Sequence, residues 1–431
     1  MGASEHLCVC VGARAPTDKM QSEMVELKGH IIDSLTLPKI LDEVMNLGGG
    51  FEILEMKVGQ RRQDPSHARI KISAPSRPEL EVILARIKQQ GALPVVEKEA
   101  VLTMADRDGA FPEGFYCTTH LQTFIHYQGQ WIEVENPEMD CGVVIDSETR
   151  KASTLPMHRV KKGQFIVMGY QGVRVIPQER SPDRNVFEFM ASSVSSEKPK
   201  GVLIREIANQ IREAKRRGGK VLWVAGPALV HTGAGEHLVR MIQAGFVDVL
   251  FAGNALAAHD IEQALFGTSL GVSLEMGMPA VEGHEHHVRA INLIRRMGGI
   301  RKAVQQGILN SGIMYQCVRH HVDFVLAGSV RDDGPLPDVI TDMVMAQDEM
   351  RKRIAGVEVC LMIATALHSI ATGNLLPARV KTICIDINPA VVTKLADRGS
   401  FQAIGLVTDV EPFLRALWNC LKQSDDLTSA A

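Results

Sequence analysis

Six apolar runs of strand length occur between residues 221 and 407, and each one stops at small or polar residues. The runs are Val221–Ala225, Val247–Ala252, Phe324–Ala327, Val357–Ile363, Thr382–Ile385 and Ala403–Val407. Helical patterns separate most of them, and alternating buried strands and helices are typical of a parallel, doubly wound sheet. In such sheets ligands bind in the crevice beyond the carboxyl ends of the strands. The sequence therefore predicts an α/β domain whose six strand ends form the walls of one site.

The chain before this domain shows two other patterns. Residues 22–105 follow the order β-α-β-β-α-β, ending in a strand over Leu93–Leu102, which predicts a ferredoxin-like α+β domain. We interpret it as a structural or oligomerising domain, because none of its junctions carries a chemical cluster. Residues 106–197 contain short strand-like segments separated by turn residues, which predicts an antiparallel β module. The segments are Thr123–His126, Gln130–Val134, Cys141–Asp146, Lys151–Pro156 and Phe165–Pro177. We expect the α/β domain to span 198–424.

Charge and cysteine content exclude several classes of protein. The net charge of −3 gives no reason to expect nucleic acid or an anionic membrane as a partner. No uncharged apolar stretch reaches membrane-spanning length, and Met1–Gly12 lacks the basic region and apolar core of a signal peptide. The eight cysteines are scattered and form neither a disulfide framework nor a CxxC motif. A reducing, cytoplasmic location fits this pattern.

A glycine-rich segment, Gly226–His237, follows the first run and opens a helix. Free N–H groups at a helix start attract anions, and glycine lets a phosphate approach the backbone. The spacing Gly233-x-Gly235 continues to Leu238 instead of a third glycine, so the usual dinucleotide fingerprint is absent. The segment is either a phosphate-binding loop or a plain strand-to-helix turn, and its sequence favours neither.

Polar side chains recur where the runs end. Asp386 ends an apolar run, where a carboxylate can accept hydrogen bonds from ribose hydroxyls. The alternative is that Asp386 or Asn388 merely caps the helix that starts at Pro389, and we favour the ribose role. Asp409 and Asn254 stand at corresponding junctions. The segment 327–338 is the longest polar junction, and it is either a functional loop or a solvated surface loop.

Histidines supply the remaining candidates. His284, His286 and His287 stand within four residues of one another, beside Glu282 and Glu285. Their spacing is too tight for convergence on one metal ion from a single helix face, so we expect no functional metal there. A polar loop, a helix start or an acid/base residue are the alternatives.

Two further histidines, His231 and His368, lie beside proposed crevice loops. Either one could carry a proton, because histidine titrates near neutrality. Each could also be a hydrogen-bonded structural histidine, and the sequence favours this second interpretation.

Longer strings in the sequence resemble a known family. ELKGHIIDS and DPSHARIKI resemble the region named for the bifunctional lysine-oxoglutarate reductase/saccharopine dehydrogenase. HTGAGEHL, AGNALAAHDIE, NSGIMY and AGSVRDDGPLPDVITD resemble archaeal-type ornithine cyclodeaminases and the C-terminal half of cyanobacterial arginine dihydrolase/ornithine cyclodeaminases. The resemblance runs from about Glu26 to Leu421 and implies an NAD-binding domain related in shape to deoxyhypusine synthase. The NAD contacts that it implies are Asn254, Ala255, Asp332, Thr365, Ala366, Leu367, His368, Asp386, Ile387, Asp409 and Val410.

The resemblance also implies a reaction, namely the conversion of L-ornithine to L-proline and ammonia by a lyase. Because the net redox change is zero, NAD would be recycled in place. The chemistry needs a base and carboxylates that hold the substrate's ammonium groups, for which the candidates are Asp333, Glu236, Glu285 and His231. We expect a homo-oligomer and no arginine-hydrolysing activity. The alternatives are an NAD-dependent dehydrogenase or reductase for another amino acid or imine, and an NAD-sensing regulator.

Overall fold

The computed structural model describes residues 20–32, 35–61, 64–88, 90–94, 98–176, 200–270, 272–273, 283–332, 334–397 and 404–422. None of the helices in these ranges is long and apolar enough to cross a membrane. The chain divides into two compact units, which are described separately. The first comprises Met1–Asn136 and Cys141–Val186, and the second comprises Pro137–Asp140 and Phe187–Ala431.

The first unit begins with a four-stranded antiparallel sheet in the order β2-β3-β1-β4. Its elements are β1 (Gln21–Gly29), α1 (Thr36–Asn46), β2 (Gly50–Lys57), β3 (Ser66–Ala74), α2 (Arg77–Lys88) and β4 (Leu93–Pro94). Alternate residues of β3, such as Ile70 and Ile72, are buried with Leu80 and Ile83 of α2 in one apolar core. The predicted β-α-β-β-α-β order is therefore observed.

The predicted strand Leu93–Leu102 is wrong. Of its described residues, Leu93–Pro94 pairs with β1, whereas Val101–Met104 belongs to a different sheet, and residues 95–97 lie outside the described residues. The carboxylate of Glu99 accepts hydrogen bonds from the backbone N–H groups of Gln128 and Gly129. This contact holds Glu99 at the turn between β6 and β7, just before the chain enters β5.

A second sheet of the first unit has seven strands in the order β11-β6-β7-β9-β8-β10-β5. They are β5 (Val101–Met104), β6 (Thr123–Tyr127), β7 (Gln130–Glu135), β8 (Gly142–Asp146), β9 (Lys151–Leu155), β10 (Phe165–Met168) and β11 (Val173–Val175). The sheet is antiparallel as predicted, except that β7 and β9 run parallel, because the β8–β9 hairpin inserts β9 beside β7. The predicted strand Phe165–Pro177 is divided in two, since Gly169 and Gly172 adopt positive φ angles of 53° and 68°.

The second unit contains a seven-stranded parallel sheet with helices on both faces. Its first half comprises α3 (Lys200–Arg216), β12 (Lys220–Ala225), α4 (Ala228–His231), α5 (Gly235–Gln243), β13 (Val249–Gly253), α6 (Asn254–Phe266), β14 (Thr268–Ser269), β15 (Val272–Ser273), α7 (Gly283–Met297), α8 (Ile300–Gln305), α9 (Ile313–Arg319) and β16 (Asp323–Ala327). Its second half comprises β17 (Val339–Ile340), α10 (Met343–Ile354), β18 (Val357–Ile363), α11 (Ala366–Leu375), β19 (Lys381–Asp386), α12 (Pro389–Asp397), β20 (Ile404–Val407) and α13 (Val410–Lys422).

The strand order of this sheet is β17-β16-β13-β12-β18-β19-β20. The chain starts in the middle at β12, builds outward to β17, and then returns to the other side of β12 as β18. Alternate residues of β12 enter two different cores, with Trp223 on one face of the sheet and Leu222 and Val224 on the other. Each of the six apolar runs contains a parallel strand within its described residues, so the predicted doubly wound α/β fold is confirmed.

Candidate functional site

The strand order reverses between β12 and β18, and the loops that follow these two strands meet there. The N–H of Gly226 donates to the carbonyl oxygen of Ile363 at 2.9 Å. A Cβ atom on Gly226 would lie 1.9 Å from the carbonyl oxygen of Ala364, so only glycine allows this approach. Crevices at such reversal points are the usual ligand sites of open α/β sheets.

Two helices start at this edge of the sheet without side-chain caps. Gly253 precedes α6 and Thr365 precedes α11, and neither gives the helix a side-chain cap. By contrast, Asp342 caps α10 by accepting hydrogen bonds from the N–H groups of Val344 and Met345. The first N–H groups of α6 and α11 are thus left for an anionic ligand.

His368 connects several strand ends. It lies in α11, and its Nδ1 is 3.4 Å from Thr365 Oγ1. Its ring lies against Gly253 at the end of β13, where a Cβ atom would be 3.0 Å from Cε1. Burial lowers the pKa of His368, and this outweighs a hydrogen bond to the Ala327 backbone and the nearby charge of Asp332. His368 therefore extends across the carboxyl end of the sheet as a neutral side chain.

The segment 327–338 is held by its own side chains and by Asn254. Asn254 is buried, and its Oδ1 accepts a hydrogen bond from the N–H of Leu336 at 3.0 Å. Asp332 accepts a hydrogen bond from the N–H of Ser329 at 2.7 Å. These contacts place Asn254 and Asp332 beside the crevice. They also give both side chains a structural role in holding the loop. Asp333 lies outside the described residues.

Asp386 and Asn388 have separate roles at the end of β19. Asn388 Oδ1 accepts a hydrogen bond from the N–H of Ala390 and so caps α12. Asp386 is 8% exposed, and its Oδ1 accepts from the N–H of Asn388 at 2.8 Å. Within the described part of the chain, no hydrogen-bond partner occupies Asp386 Oδ2. One carboxylate oxygen at this strand end is therefore available to a ligand.

Apolar side chains at the same edge are unusually exposed. Leu367 is 78% exposed and Ile387 is 67% exposed. Ile387 directly follows β19, and Leu367 lies in the first turn of α11, the helix after β18, so a ligand in the crevice could cover both. Asp409 is also exposed, whereas Val410 is buried and begins α13.

His231 belongs to a cluster of polar side chains between α4, α6 and β14. Its Nδ1 lies 2.6 Å from Ser269 Oγ. The ring of His259 stands edge-on to it, with 4.7 Å between ring centroids. Burial and, second, the neighbouring His259 lower the pKa of the half-buried His231. A neutral imidazole is thus held beside the strand ends.

A buried carboxylate orients this cluster. Glu262 is fully buried, and its Oε2 accepts a hydrogen bond from His259 Nδ1 at 2.8 Å. Its Oε1 accepts from the hydroxyl of Thr268 at 2.9 Å. The hydrogen bond fixes His259 as the tautomer protonated on Nδ1, which leaves Nε2 as the basic nitrogen.

Neither His259 nor Glu262 is among the site residues predicted from the sequence. The available signal was their spacing of three, which puts both on one face of a helix that begins at a strand end.

The histidines around residue 286 are close to this cluster. His286 Nδ1 donates to Thr268 Oγ1 at 2.8 Å, and its ring stacks on Phe266. The His287 ring centroid is 6.1 Å from that of His259. The backbone of His284 and Glu285 is in α7, but their side chains lie outside the described residues. Among the side chains that the structure describes, no group of three or more could hold a metal ion.

Glu236 stands apart from these groups. It is in the first turn of α5 and accepts a hydrogen bond from Arg240 at 2.7 Å, with its side chain 67% exposed. Exposed ion pairs of this kind are common on helix surfaces and contribute little free energy. Among the described residues, no hydrogen bond or ion pair joins Glu236 to the crevice loops.

Three family models match consecutive parts of the chain. Residues 22–121 match the conserved region of the LOR/SDH bifunctional enzymes. Residues 122–204 match the first C-terminal region of ArgZ-like arginine dihydrolases, and residues 205–417 match their C-terminal Rossmann-fold region.

Curated relatives are similar over almost the whole chain. Ornithine cyclodeaminase of Methanothermobacter thermautotrophicus is 55% identical over 409 residues, a match that covers 95% of this chain and 100% of the relative. The bifunctional arginine dihydrolase/ornithine cyclodeaminase AgrE of Nostoc sp. is 44% identical over 417 residues, covering 95% of this chain and 59% of the longer protein.

Solved structures agree with these matches. The ternary complex of AgrE with ornithine and NAD⁺ is 42% identical, with a TM-score of 0.51, and the match covers 98% of this chain and 60% of that one. A conserved putative LOR/SDH protein from Methanococcus maripaludis is 49% identical with a TM-score of 0.72, covering 75% of this chain and 98% of that one. A putative deoxyhypusine synthase from Entamoeba histolytica gives 9% identity and a TM-score of 0.36, too weak to carry an argument about the fold.

Proposed function

Because the chain belongs to the ornithine cyclodeaminase family, we infer that it converts L-ornithine to L-proline and ammonia with NAD as its cofactor. The observation that carries this inference is the match at 42% identity, over 98% of the chain, to a structure that holds both ornithine and NAD⁺. A relative with this activity in its name is 55% identical over its full length.

The residues at the carboxyl edge of the sheet fit NAD. The free oxygen of Asp386 suits the hydroxyls of a ribose, and the uncapped starts of α6 and α11 suit a pyrophosphate. The exposed side chains of Leu367 and Ile387 suit the faces of the cofactor's rings. When bound, NAD supplies a hydride acceptor that becomes a hydride donor within one turnover. We assign further contacts to Asn254, Ala255, Asp332, Thr365, Ala366, His368, Asp409 and Val410.

The chain itself must supply a proton acceptor, because both amines of ornithine are protonated near neutral pH. A protonated nitrogen has no lone pair with which to attack a carbon, or to form the C=N bond when its own carbon gives up a hydride. His231 is our candidate, since it is half-buried and its pKa is lowered by burial and by His259. It is therefore unprotonated in the pH range where ornithine must be deprotonated. The same imidazole, once protonated, can return the proton to the leaving ammonia.

His259 and Glu262 support His231 in this proposal. Glu262 holds the ring of His259 by accepting a hydrogen bond from its Nδ1. The ring of His259 in turn packs edge-on against the ring of His231. Asp333 and Glu285 remain proposed carboxylates for the substrate's ammonium groups. Glu236 remains a weaker candidate, because its carboxylate is paired with Arg240 on an exposed surface.

The experiment that tests this function combines the purified protein with L-ornithine and substoichiometric NAD. We expect proline and ammonia in equal amounts, many turnovers for each NAD, and no accumulation of NADH. A dehydrogenase for another reaction would accumulate NADH in proportion to product. A regulator that senses NAD would bind the cofactor and release neither proline nor ammonia.

The setting that we propose is arginine and ornithine metabolism, with proline as the product. Cys317, Cys360, Cys384 and Cys420 are free thiols, which supports a reducing, cytoplasmic location. We also propose that the protein forms a homo-oligomer.

A further inference from the structure

The outer edge of β2 is open. β2 is the terminal strand of the four-stranded sheet, and it pairs only with β3 among the strands that the structure describes. An edge strand presents a row of unpaired backbone N–H and C=O groups, which can pair with another strand.

Apolar side chains accompany this open edge. Phe51, Ile53 and Met56 pair with the buried residues Ile72, Ile70 and Ala68 of β3, so they point to the helix-covered face of the sheet. Nevertheless Phe51, Ile53 and Met56 are 37%, 41% and 40% exposed, and Val58 just beyond them is 57% exposed. The helices α1 and α2 therefore leave the apolar side of this strand uncovered.

The opposite side of β2 is charged. Glu52, Glu55 and Lys57 pair with Lys71, Arg69 and His67 of β3, so these charges share the uncovered face of the sheet. A bulge between Ile53 and Glu55 keeps Ile53 and Met56 on the same face. The strand thus has an apolar side and a charged side, with one basic residue close to its end.

We propose that β2 pairs antiparallel with β2 of a second copy of this chain, about a two-fold axis between Leu54 and Glu55. Ile53 then faces Met56 of the partner subunit, Phe51 faces the partner's Val58, and Glu52 faces the partner's Lys57. The interface is isologous, as expected for a two-fold dimer. It joins the two four-stranded sheets into one.

Side-chain complementarity selects this register. Moving the axis one residue toward the start of the strand would place Glu52 opposite Glu55, and like charges directly opposite each other destabilise a strand pair. Moving it by half a residue toward the start would place Glu52 opposite Met56 and Ile53 opposite Glu55, and moving it by half a residue toward the end would place Ile53 opposite Lys57. Because the strand matches itself in apolar and charged positions at once, a second copy is the occupant that its sequence fits.

A cysteine pair tests the register in the full-length protein. Ile53→Cys combined with Met56→Cys places two thiols opposite each other across the axis, and mild oxidation should give a covalent dimer that thiol reduction reverses. Phe51→Cys combined with Met56→Cys is the matched control, because these residues share the same face but do not oppose each other in this register. The native cysteines are common to both variants. Equal cross-linking of the two variants, or none of the first, would overturn the proposal.

A charge exchange tests the interface without cross-linking. Glu52→Lys alone and Lys57→Glu alone each place like charges opposite each other, so each should reduce the size of the assembly at low protein concentration. The double exchange restores opposite charges and should restore the assembly, as measured by sedimentation velocity. If Ile53→Lys and both single exchanges sediment like the unaltered protein, the proposal is overturned.

Discussion

At the scale of single residues, Asp386 gives the sharpest prediction about the cofactor. Asp386→Ala removes the free carboxylate oxygen, and hydrogen bonds to a charged group contribute about 1.5–3 kcal/mol. We expect NAD to bind roughly 10- to 100-fold more weakly by calorimetry. Asn388→Ala is the control, because it removes the α12 cap and leaves the carboxylate in place. Unchanged NAD affinity in folded Asp386→Ala would refute the ribose assignment.

His231 gives a prediction about pH. Burial and, second, His259 lower the pKa of His231 below the ordinary 6.5. The imidazole therefore stays unprotonated when the pH falls to 6.5. The acid limb of kcat/KM should therefore lie below pH 6.5, and His259→Gln should move it to higher pH. His231→Gln should reduce turnover by roughly 10²–10⁴-fold. An acid limb that does not move in His259→Gln would argue against His231 as the base.

At the scale of elements, the junction of β12 and β18 depends on Gly226. Gly226→Ala places a methyl group against the carbonyl of Ala364, so the loops must separate. We expect a loss of about 1–3 kcal/mol in the free energy of unfolding, together with weaker NAD binding. Gly201→Ala in α3 is the control, since its Cβ meets only the tip of Arg205, and alanine favours a helix by up to about 1 kcal/mol. Equal unfolding curves for the two variants would show that the junction tolerates a side chain.

How far sequence predicts an element depends on whether its signal is local. The six apolar runs predict the parallel strands correctly, because burial on both faces leaves a continuous apolar string. The sequence does not indicate that Leu93–Leu102 is divided, because the contacts that Glu99 makes there are with a hairpin about thirty residues away. The position of β9 beside β7 likewise depends on where the β8–β9 hairpin inserts into the sheet, which the composition of these strands does not indicate.

The site follows the same rule. Strand-end position predicts Asp386 at the edge of the crevice, and the structure adds which of its oxygens is free. The sequence does not predict His259 and Glu262 as site residues, because they lie in α6 and reach His231 only when α6 packs beside α4. A residue's role in a cluster of this kind depends on its partners, which one sequence does not name.

At the scale of the whole molecule, every proposed catalytic and cofactor residue belongs to the second unit, whereas the open edge of β2 belongs to the first. Chemistry and the proposed assembly surface are therefore on different parts of the chain. The division into domains at 22–105, 106–197 and 198–424 stays a prediction. Expression of 198–424 alone would test it by showing whether this segment folds and binds NAD.

The central claim is that ornithine becomes proline with no net oxidation. The most direct measurement uses ornithine that carries deuterium at C2 and at both positions of C5, mixed with unlabelled ornithine and a large excess of unlabelled NAD. The account predicts proline that keeps all the deuterium of its parent molecule, whichever carbon is oxidised, with none appearing in unlabelled product. A cyclic imine that has lost one deuterium, together with an equal amount of deuterated NADH in solution, would contradict it.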